Sequence, residues 1–504
     1  MINQIKQLGK DSFIYGMGDG LKRAIGFLLL PVYTRFLSPG DYGQLELLMV
    51  MSTMILIVTS QGMSTAFFRF YGFSDNDTRR SELINTSFYY LLFSALISCA
   101  LFFVFANQFA ILLSEQNTTF TLFVKIIALT AFFQISSIVP FQIYRAKLQT
   151  IKYVTVSIVG FLIQVTLNIF FVASLKMGVK GVLLGNATSA SFVFMLNLFL
   201  TRNTLTFNFS FSALKDMLKF GMPLIFVGIF NWVLQVSDRI LLQKLATTDQ
   251  VGLYSLGFRF AGILTILAIA PFSMAWGAYC FQIATTDKAK ETFKVIATYW
   301  FFALSFLGLG VLLFSPPVIK LMAAEPFWTA SQVVLPLVFM TVVSGMYTIF
   351  DLGINIAKKT HYMTFIVGLG AALNVILNIL LIPKYGMMGA AFASFFSFLL
   401  IMLITYNLSQ KLYFIPFEKI RFYKISFVFV FISFVSYLVN LSNVYYDFLV
   451  RIALFLAFPL GIYFIGFFNS SEKDAIKFVR KNLSEKRGWR SKFQYGFSLM
   501  QTPK

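Results

Sequence analysis

The chain alternates long apolar runs with short polar gaps, and each run is about as long as the 20 residues a helix needs to cross a bilayer. The runs lie near 13–36, 43–70, 83–107, 119–143, 151–175 and 179–201, then 219–243, 251–276, 292–314, 328–352, 362–383 and 387–409, and finally 422–441 and 447–468. The pattern predicts an all-α polytopic membrane protein of about fourteen transmembrane helices. They form two parallel six-helix lobes plus two C-terminal helices.

Composition agrees. Only 12% of residues are charged and 58% are hydrophobic, against about 25% charged in a soluble domain. Sixty-three phenylalanines cannot all be buried in one water-soluble core. No polar stretch is long enough for a separate soluble domain. The net charge of +21 raises nucleic acid as a partner, but its distribution argues against it. Basic residues cluster in alternate loops, about 28 on one side against 5 on the other. That asymmetry assigns the first side, with both termini, to the cytoplasm. The first run is too long for a cleaved signal peptide and reads as a retained helix. Cys99 and Cys280 lie far apart in apolar runs, so no disulfide and no cysteine-based metal site are expected.

The two sets of six resemble each other at an offset of about 209 residues. TRFLSPGDYGQLELL (34–48) matches QKLATTDQVGLYSLG (243–257), placing Arg35 on Lys244 and Gly43 on Gly252. YRAKLQTIKYVT (144–155) matches NIAKKTHYMT (355–364), with Tyr153 on Tyr362. LNIFFVASLKMGVKG (167–181) matches LNILLIPKYGMMG (377–389), with Asn168 on Asn378 and Gly181 on Gly389. Six is even, so the repeats are parallel and a substrate site is expected between them near the midplane. The expected organisation is an N-terminal lobe over 1–202 and, as linker over 203–218, an amphipathic helix lying on the cytoplasmic surface. A second lobe follows over 219–410, two extra helices over 411–469, and a basic cytoplasmic tail over 470–504.

Candidate chemistry rests on ionisable residues at membrane depth, which are costly and rare. Lys22 and Arg23 fall about 14 Å into the first span, and Arg259 about 12 Å into the eighth. Asp19 is the only acid expected at similar depth. An Asp19–Arg23 pair on one helix face competes with a wet cationic cavity as the reading. Either way Lys22 and Arg259 have no evident partner, so a positive excess is expected to attract an anion. Glu46, Asp238 and Arg239 fall toward the outer ends of their spans and are candidates for gating or ion pairing. Adjacent Asp238 and Arg239 need separate partners, and Asp238 is expected to meet Lys244 or Arg35. Asp351 is expected to meet Lys358 or Lys359. Arg69 and Lys125 read as snorkelling cations, and His361 as a solvated loop residue. Trp232 is either a packing residue or a platform for a sugar ring.

Among the motifs, no metal-ligand cluster, P-loop or Gly-x-Ser-x-Gly elbow appears. The chain thus reads as a transporter that is not an enzyme and has no cofactor. Its energy is expected from a H⁺ or Na⁺ gradient or from substrate supply.

Several segments resemble the polysaccharide biosynthesis family of lipid-linked oligosaccharide flippases (O-antigen, Wzx-type), in the superfamily that includes multidrug extruders and lipid II flippases. They are GFLLLPVYTRFLSPGDYGQLELL (26–48), SDRILL (237–242), VGLYSLGFRFAGI (251–263) and LNVILNILLIPKYGMMGAAFASFFSF (373–398). The resemblance implies alternating access in a bacterial inner membrane. The implied substrate is an undecaprenyl-diphosphate-linked oligosaccharide, for O-antigen, capsule or exopolysaccharide. Implied partners are membrane lipid, a polysaccharide polymerase and chain-length machinery. Lys22 or Arg23 and Arg259 match the basic positions of two spans of lipid II flippases, whereas the second span offers no deep cation. A cation-coupled multidrug extruder is the alternative, disfavoured because its one deep acid, Asp19, is outnumbered by cations. A polymerase or ligase would need a large external loop, which the sequence does not contain.

Overall fold

The computed structural model describes residues 27 and 29–474, except 75, 114–117, 285, 440–443 and 471. Among them, twelve helices are long and apolar enough to cross a membrane. The protein is therefore an all-α, multi-pass membrane protein. Every predicted span from 43–70 onward falls on such a helix, while most of the first predicted span lies outside the described residues.

After α1 (Leu30–Phe36), the second span starts as α2 (Pro39–Ser60). The Ser38 hydroxyl accepts the Asp41 amide at 3.1 Å and the Asp41 carboxylate accepts the Ser38 amide, a capping box. The span breaks at Gln61 and Gly62, both left-handed, and resumes as α3 (Met63–Gly72). Gln61 holds this conformation against a cost of about 1–2 kcal/mol, and its Oε1 accepts the Tyr90 hydroxyl. Then come α4 (Asp77–Val104), α5 (Ala106–Leu113), α6 (Thr118–Ser136), α7 (Ile138–Ala146), α8 (Thr150–Ile169) and α9 (Gly178–Thr201).

Residues 203–218 correct the expectation of an amphipathic linker helix. Residues 203–210 are turns and irregular chain, and α10 (Phe211–Leu245) already includes 211–218. The reason is local pinning by α4. Asn85 bonds the backbone and side chain of Thr206 at 2.7 and 3.0 Å, and the Thr86 hydroxyl accepts the Ser210 amide. These bonds take backbone groups that a helix would have used.

The second set continues with α11 (Thr248–Leu264), α12 (Ala270–Ile283), α13 (Ala289–Met322), α14 (Val334–Phe350), α15 (Leu352–Ile356) and α16 (His361–Leu412). At 52 residues α16 would be about 78 Å long if straight. It is a helical hairpin instead. Gly386 sits at φ 55° and ψ −133°, and the Met387 amide donates to Gln250 Oε1 at 2.8 Å. Asn374 on one arm donates to Ser394 on the other, and Gly370 packs on Ile401. The hairpin covers the eleventh and twelfth predicted spans. Helices α17 (Lys419–Leu438) and α18 (Val444–Phe464) complete the described chain.

The internal repeat is visible in backbone detail. Thr247 caps α11 by accepting the Gln250 amide, as Ser38 caps α2 by accepting that of Asp41. The loop after α7 ends in a Schellman motif with left-handed Leu148, its bonds running from Gln149 N to Tyr144 O and from Leu148 N to Arg145 O. The loop after α15 repeats it with left-handed Lys358, Lys359 N to Ile354 O and Lys358 N to Asn355 O.

Contacts divide the chain into two compact units, 1–282 with 315–414, and 283–314 with 415–504. In the second, Arg421 grips Glu472 at 2.6 and 3.0 Å and Glu418 at 3.3 Å. Tyr299 and Thr298 donate to the same two carboxylates. Arg451 bridges Asp447 and the Leu313 carbonyl. The predicted tail lies mostly outside the described residues.

Candidate functional site

Three polar features occupy the first unit. The first joins the two six-span sets. Arg259 on α11 donates to Glu46 on α2 at 2.5 Å. Arg239 on α10 lies 3.8 Å from the same carboxylate and is fixed by Ser255 Oγ at 3.0 Å and the Gln235 carbonyl at 2.9 Å. Its guanidinium lies 4.8 Å from the Phe258 ring centre, and that of Arg259 lies 5.4 Å from Tyr42. Two guanidinium groups thus share one carboxylate, leaving one positive charge in excess. Arg239 and Glu46 are buried, whereas the Arg259 side chain keeps 36% of its surface accessible. Arg259 is the most exposed member of the cluster.

The expectation that Arg259 lacks a partner is therefore corrected: Glu46 is its partner, 213 residues away in sequence. Lys22, Arg23 and Asp19 lie outside the described residues. Arg35 is exposed in the last turn of α1.

The second feature surrounds Asp238, which is fully buried. It is not paired with Lys244 or Arg35 as expected. Its carboxylate accepts from the Tyr254 hydroxyl at 2.5 Å, Ser394 Oγ at 2.6 Å and Asn378 Nδ2 at 2.7 Å. The Asn374 amide oxygen accepts from Ser237 and Asn378, both at 3.0 Å. The Asn378 amide oxygen is buried without a hydrogen-bond partner. Neutral donors hold this carboxylate, with amide and hydroxyl oxygens beside it. Asp238, expected toward the outer end of its span, is fully enclosed there by neighbouring helices. Asp238 and Arg239 do use separate partners, as adjacency on a helix requires. Asp351 forms no ion pair with Lys358 or Lys359 among the described residues.

The third feature is a cavity of mixed polar and apolar lining within the first set of spans. Its inner part, about 360 Å³, is lined by Thr130, Gln134, Ser137, Ser157, Gln164 and Asn186, among others. An adjoining part of about 320 Å³ shares Gln134, Phe141 and Ser157 and reaches Gln142 and Arg145. Trp232, away from this cavity, is half-buried, its Nε1 donating to Thr53 Oγ1 at 3.1 Å and to the Val50 carbonyl at 3.3 Å.

One sequence signal could have located the Asp238 cluster. Asn374 and Asn378 stand at i,i+4 in an otherwise apolar run, so both face one side of the helix.

Residues 32–275 match the family described as "Polysaccharide biosynthesis protein". The "Lsg locus putative protein 1" of Haemophilus influenzae is 27% identical over 297 residues, covering 55% of this chain and 67% of that protein. Among solved structures, the lipid II flippase MurJ in an inward closed conformation superposes with a TM-score of 0.71 at 15% identity, covering 90% of this chain and 98% of that one. An inward-facing multidrug resistance MATE family transporter of the MOP superfamily superposes at 0.58 and 15% identity, covering 77% and 94%. The MATE transporter VcmN of Vibrio cholerae, in a mutant form, gives 0.56 and 15%, covering 81% and 96%. The resemblance drawn from the sequence holds: residues 32–275 are similar to the polysaccharide biosynthesis proteins, and the chain has the fold seen in the lipid II flippase and MATE structures.

Proposed function

We propose that this protein flips an undecaprenyl-diphosphate-linked oligosaccharide across the bacterial inner membrane by alternating access, with both termini cytoplasmic. The observation that carries the reading is the partly exposed guanidinium of Arg259 in a cluster of two arginines and one carboxylate. A diphosphate cannot cross hydrocarbon unaided, and a fixed guanidinium grips its oxygens in pairs. Lys22 and Arg23, if they join Arg259, would add to the positive excess. The lipid tail stays in the bilayer while the head and sugars pass between the six-span sets. O-antigen, capsule and exopolysaccharide are the surface polymers such a substrate serves, with a polymerase and chain-length machinery downstream.

The test is deletion of the gene and chemical identification of the lipid-linked saccharide that accumulates on the cytoplasmic leaflet. Arg259→Gln should reproduce the accumulation with normal protein levels in the membrane. Normal surface polymer in both strains would overturn the reading.

Asp238 gives a second reading specific support. A buried carboxylate is what a cation-coupled multidrug extruder requires, and the sequence had offered only Asp19. Drug sensitivity on deletion, with surface polymer intact, would select that alternative.

A further inference from the structure

The cavity within the first set of spans is not used by the diphosphate chemistry. Its lining residues come from α2, α3, α6, α7, α8 and α9, and from Ser137 between α6 and α7. None is a carboxylate, and Arg145 is the only charged one. A cation would find no counter-charge there, and an anion would find one guanidinium at one edge. What the cavity presents is a set of neutral donors and acceptors with aromatic faces.

Several of these groups are committed. Gln164 Nε2 donates to Asn186 Oδ1 at 2.7 Å, and Ser189 Oγ to the Gly160 carbonyl at 2.7 Å. Others are not. The Ser137 and Ser157 hydroxyls and the Gln142 amide oxygen are buried, with those side chains 4–6% exposed, and have no hydrogen-bond partner. Leaving such groups unpaired costs about 1–3 kcal/mol each. A ligand rich in hydroxyls satisfies all three, because each hydroxyl both donates and accepts. The edge-to-face pair Phe141–Tyr153, with centres 5.4 Å apart, adds an apolar wall suited to sugar C–H groups. The two adjoining volumes fall in the range of about 300–1,000 Å³ that holds a drug-sized ligand.

The geometry points to a saccharide subsite inside the first six-span set, separate from the arginine cluster, that binds the sugars of the lipid-linked substrate through neutral hydrogen bonds. It rests on the flippase reading above and adds where specificity for the sugar resides. Ser137, Ser157 and Gln142 are the recognising residues.

Binding by the purified full-length protein in detergent tests this with two probes. One is undecaprenyl diphosphate, without sugar; the other is the lipid-linked saccharide extracted from the deletion strain. Wild type should hold the saccharide lipid more tightly. Ser157→Leu, which removes a hydroxyl and fills space, should weaken the saccharide lipid about tenfold or more and leave undecaprenyl diphosphate within about twofold. Ser157→Thr, which keeps the hydroxyl, should retain most of the preference. Ser137→Ala, which removes a second unpaired hydroxyl with little change of volume, should repeat the selective loss if Ser157→Leu misfolds. Equal loss for both probes, or no loss for either, would overturn the subsite. So would a wild type that binds the two equally well. A wild type that binds neither overturns the flippase reading and the subsite with it.

Discussion

Gly43 and Gly252, which correspond across the internal repeat, face each other where α2 meets α11. A Cβ on Gly43 would stand 2.1 Å from the Thr248 carbonyl oxygen and 3.1 Å from the Gly252 nitrogen. A Cβ on Gly252 would stand 2.1 Å from the Pro39 carbonyl oxygen and 3.1 Å from the Gly43 nitrogen. The contact is reciprocal, as at a two-fold axis relating the two sets. Only glycine permits two backbones to approach this closely.

Gly43→Ala and Gly252→Ala should therefore each force the helices apart and cost about 1–3 kcal/mol. Gly262→Ala, where a Cβ meets nothing within 4 Å, is the matched control and should be close to neutral. Thermal unfolding of the purified variants checks this. Comparable midpoints for all three would contradict the close approach.

Glu46 and Arg259 should be energetically coupled. A double-mutant cycle with Glu46→Gln and Arg259→Gln should return a coupling of about 1 kcal/mol or more, within the range for contacting residues. Glu46→Gln alone should be the more damaging single change, because it leaves two arginines without their shared carboxylate. Additive effects would mean that the pair does not interact.

Asp238→Ala strips three donors of their acceptor and should destabilise the protein by about 3 kcal/mol, at the cost expected for unsatisfied buried groups. Asp238→Asn keeps the shape and removes the charge. If this carboxylate takes the coupling ion, transport by Asp238→Asn in proteoliposomes should no longer respond to an imposed Na⁺ or H⁺ gradient. An unchanged response would exclude Asp238 from coupling.

Glu472 should make the second unit sensitive to acid. Burial alone would raise its pKa. The hydrogen bonds from Arg421, the Asn469 amide and Tyr299, with the Arg421 charge, outweigh burial and hold it below the ordinary 4.5. A depressed carboxylate stabilises the fold above its unfolded value and loses that contribution as pH falls through its lower folded value. The thermal midpoint of wild type should exceed that of Glu472→Gln above pH 4.5 and converge with it in stronger acid. A gap that persists at low pH would assign the effect to packing.

The spans were legible because each is a continuous apolar run, and the repeat because caps and glycines recur at one offset. Ser38 and Asp41 can be read directly as a capping box. Residues 203–218 misled because their fate depends on Asn85 and Thr86, more than a hundred residues away. The Glu46–Arg259 pair was hidden for a related reason. Helices that are apolar nearly all round do not encode which face meets which neighbour. Asp238 looked shallow by its position along the span, yet the hairpin arms carrying Asn378 and Ser394 enclose it. Depth along a helix and burial by neighbours are separate quantities, and only the first can be counted off a sequence.

The interruption at Gln61 and Gly62 has a mechanical consequence. Gly43 on one side of it touches Gly252, while Gly62 itself abuts the backbone of Gly221, about three turns into α10. This span therefore meets the second set near its start and again at its own break. The segment beyond the break, Met63–Gly72, can swing by altered torsions at Gln61 and Gly62 while the Gly43–Gly252 contact stays closed.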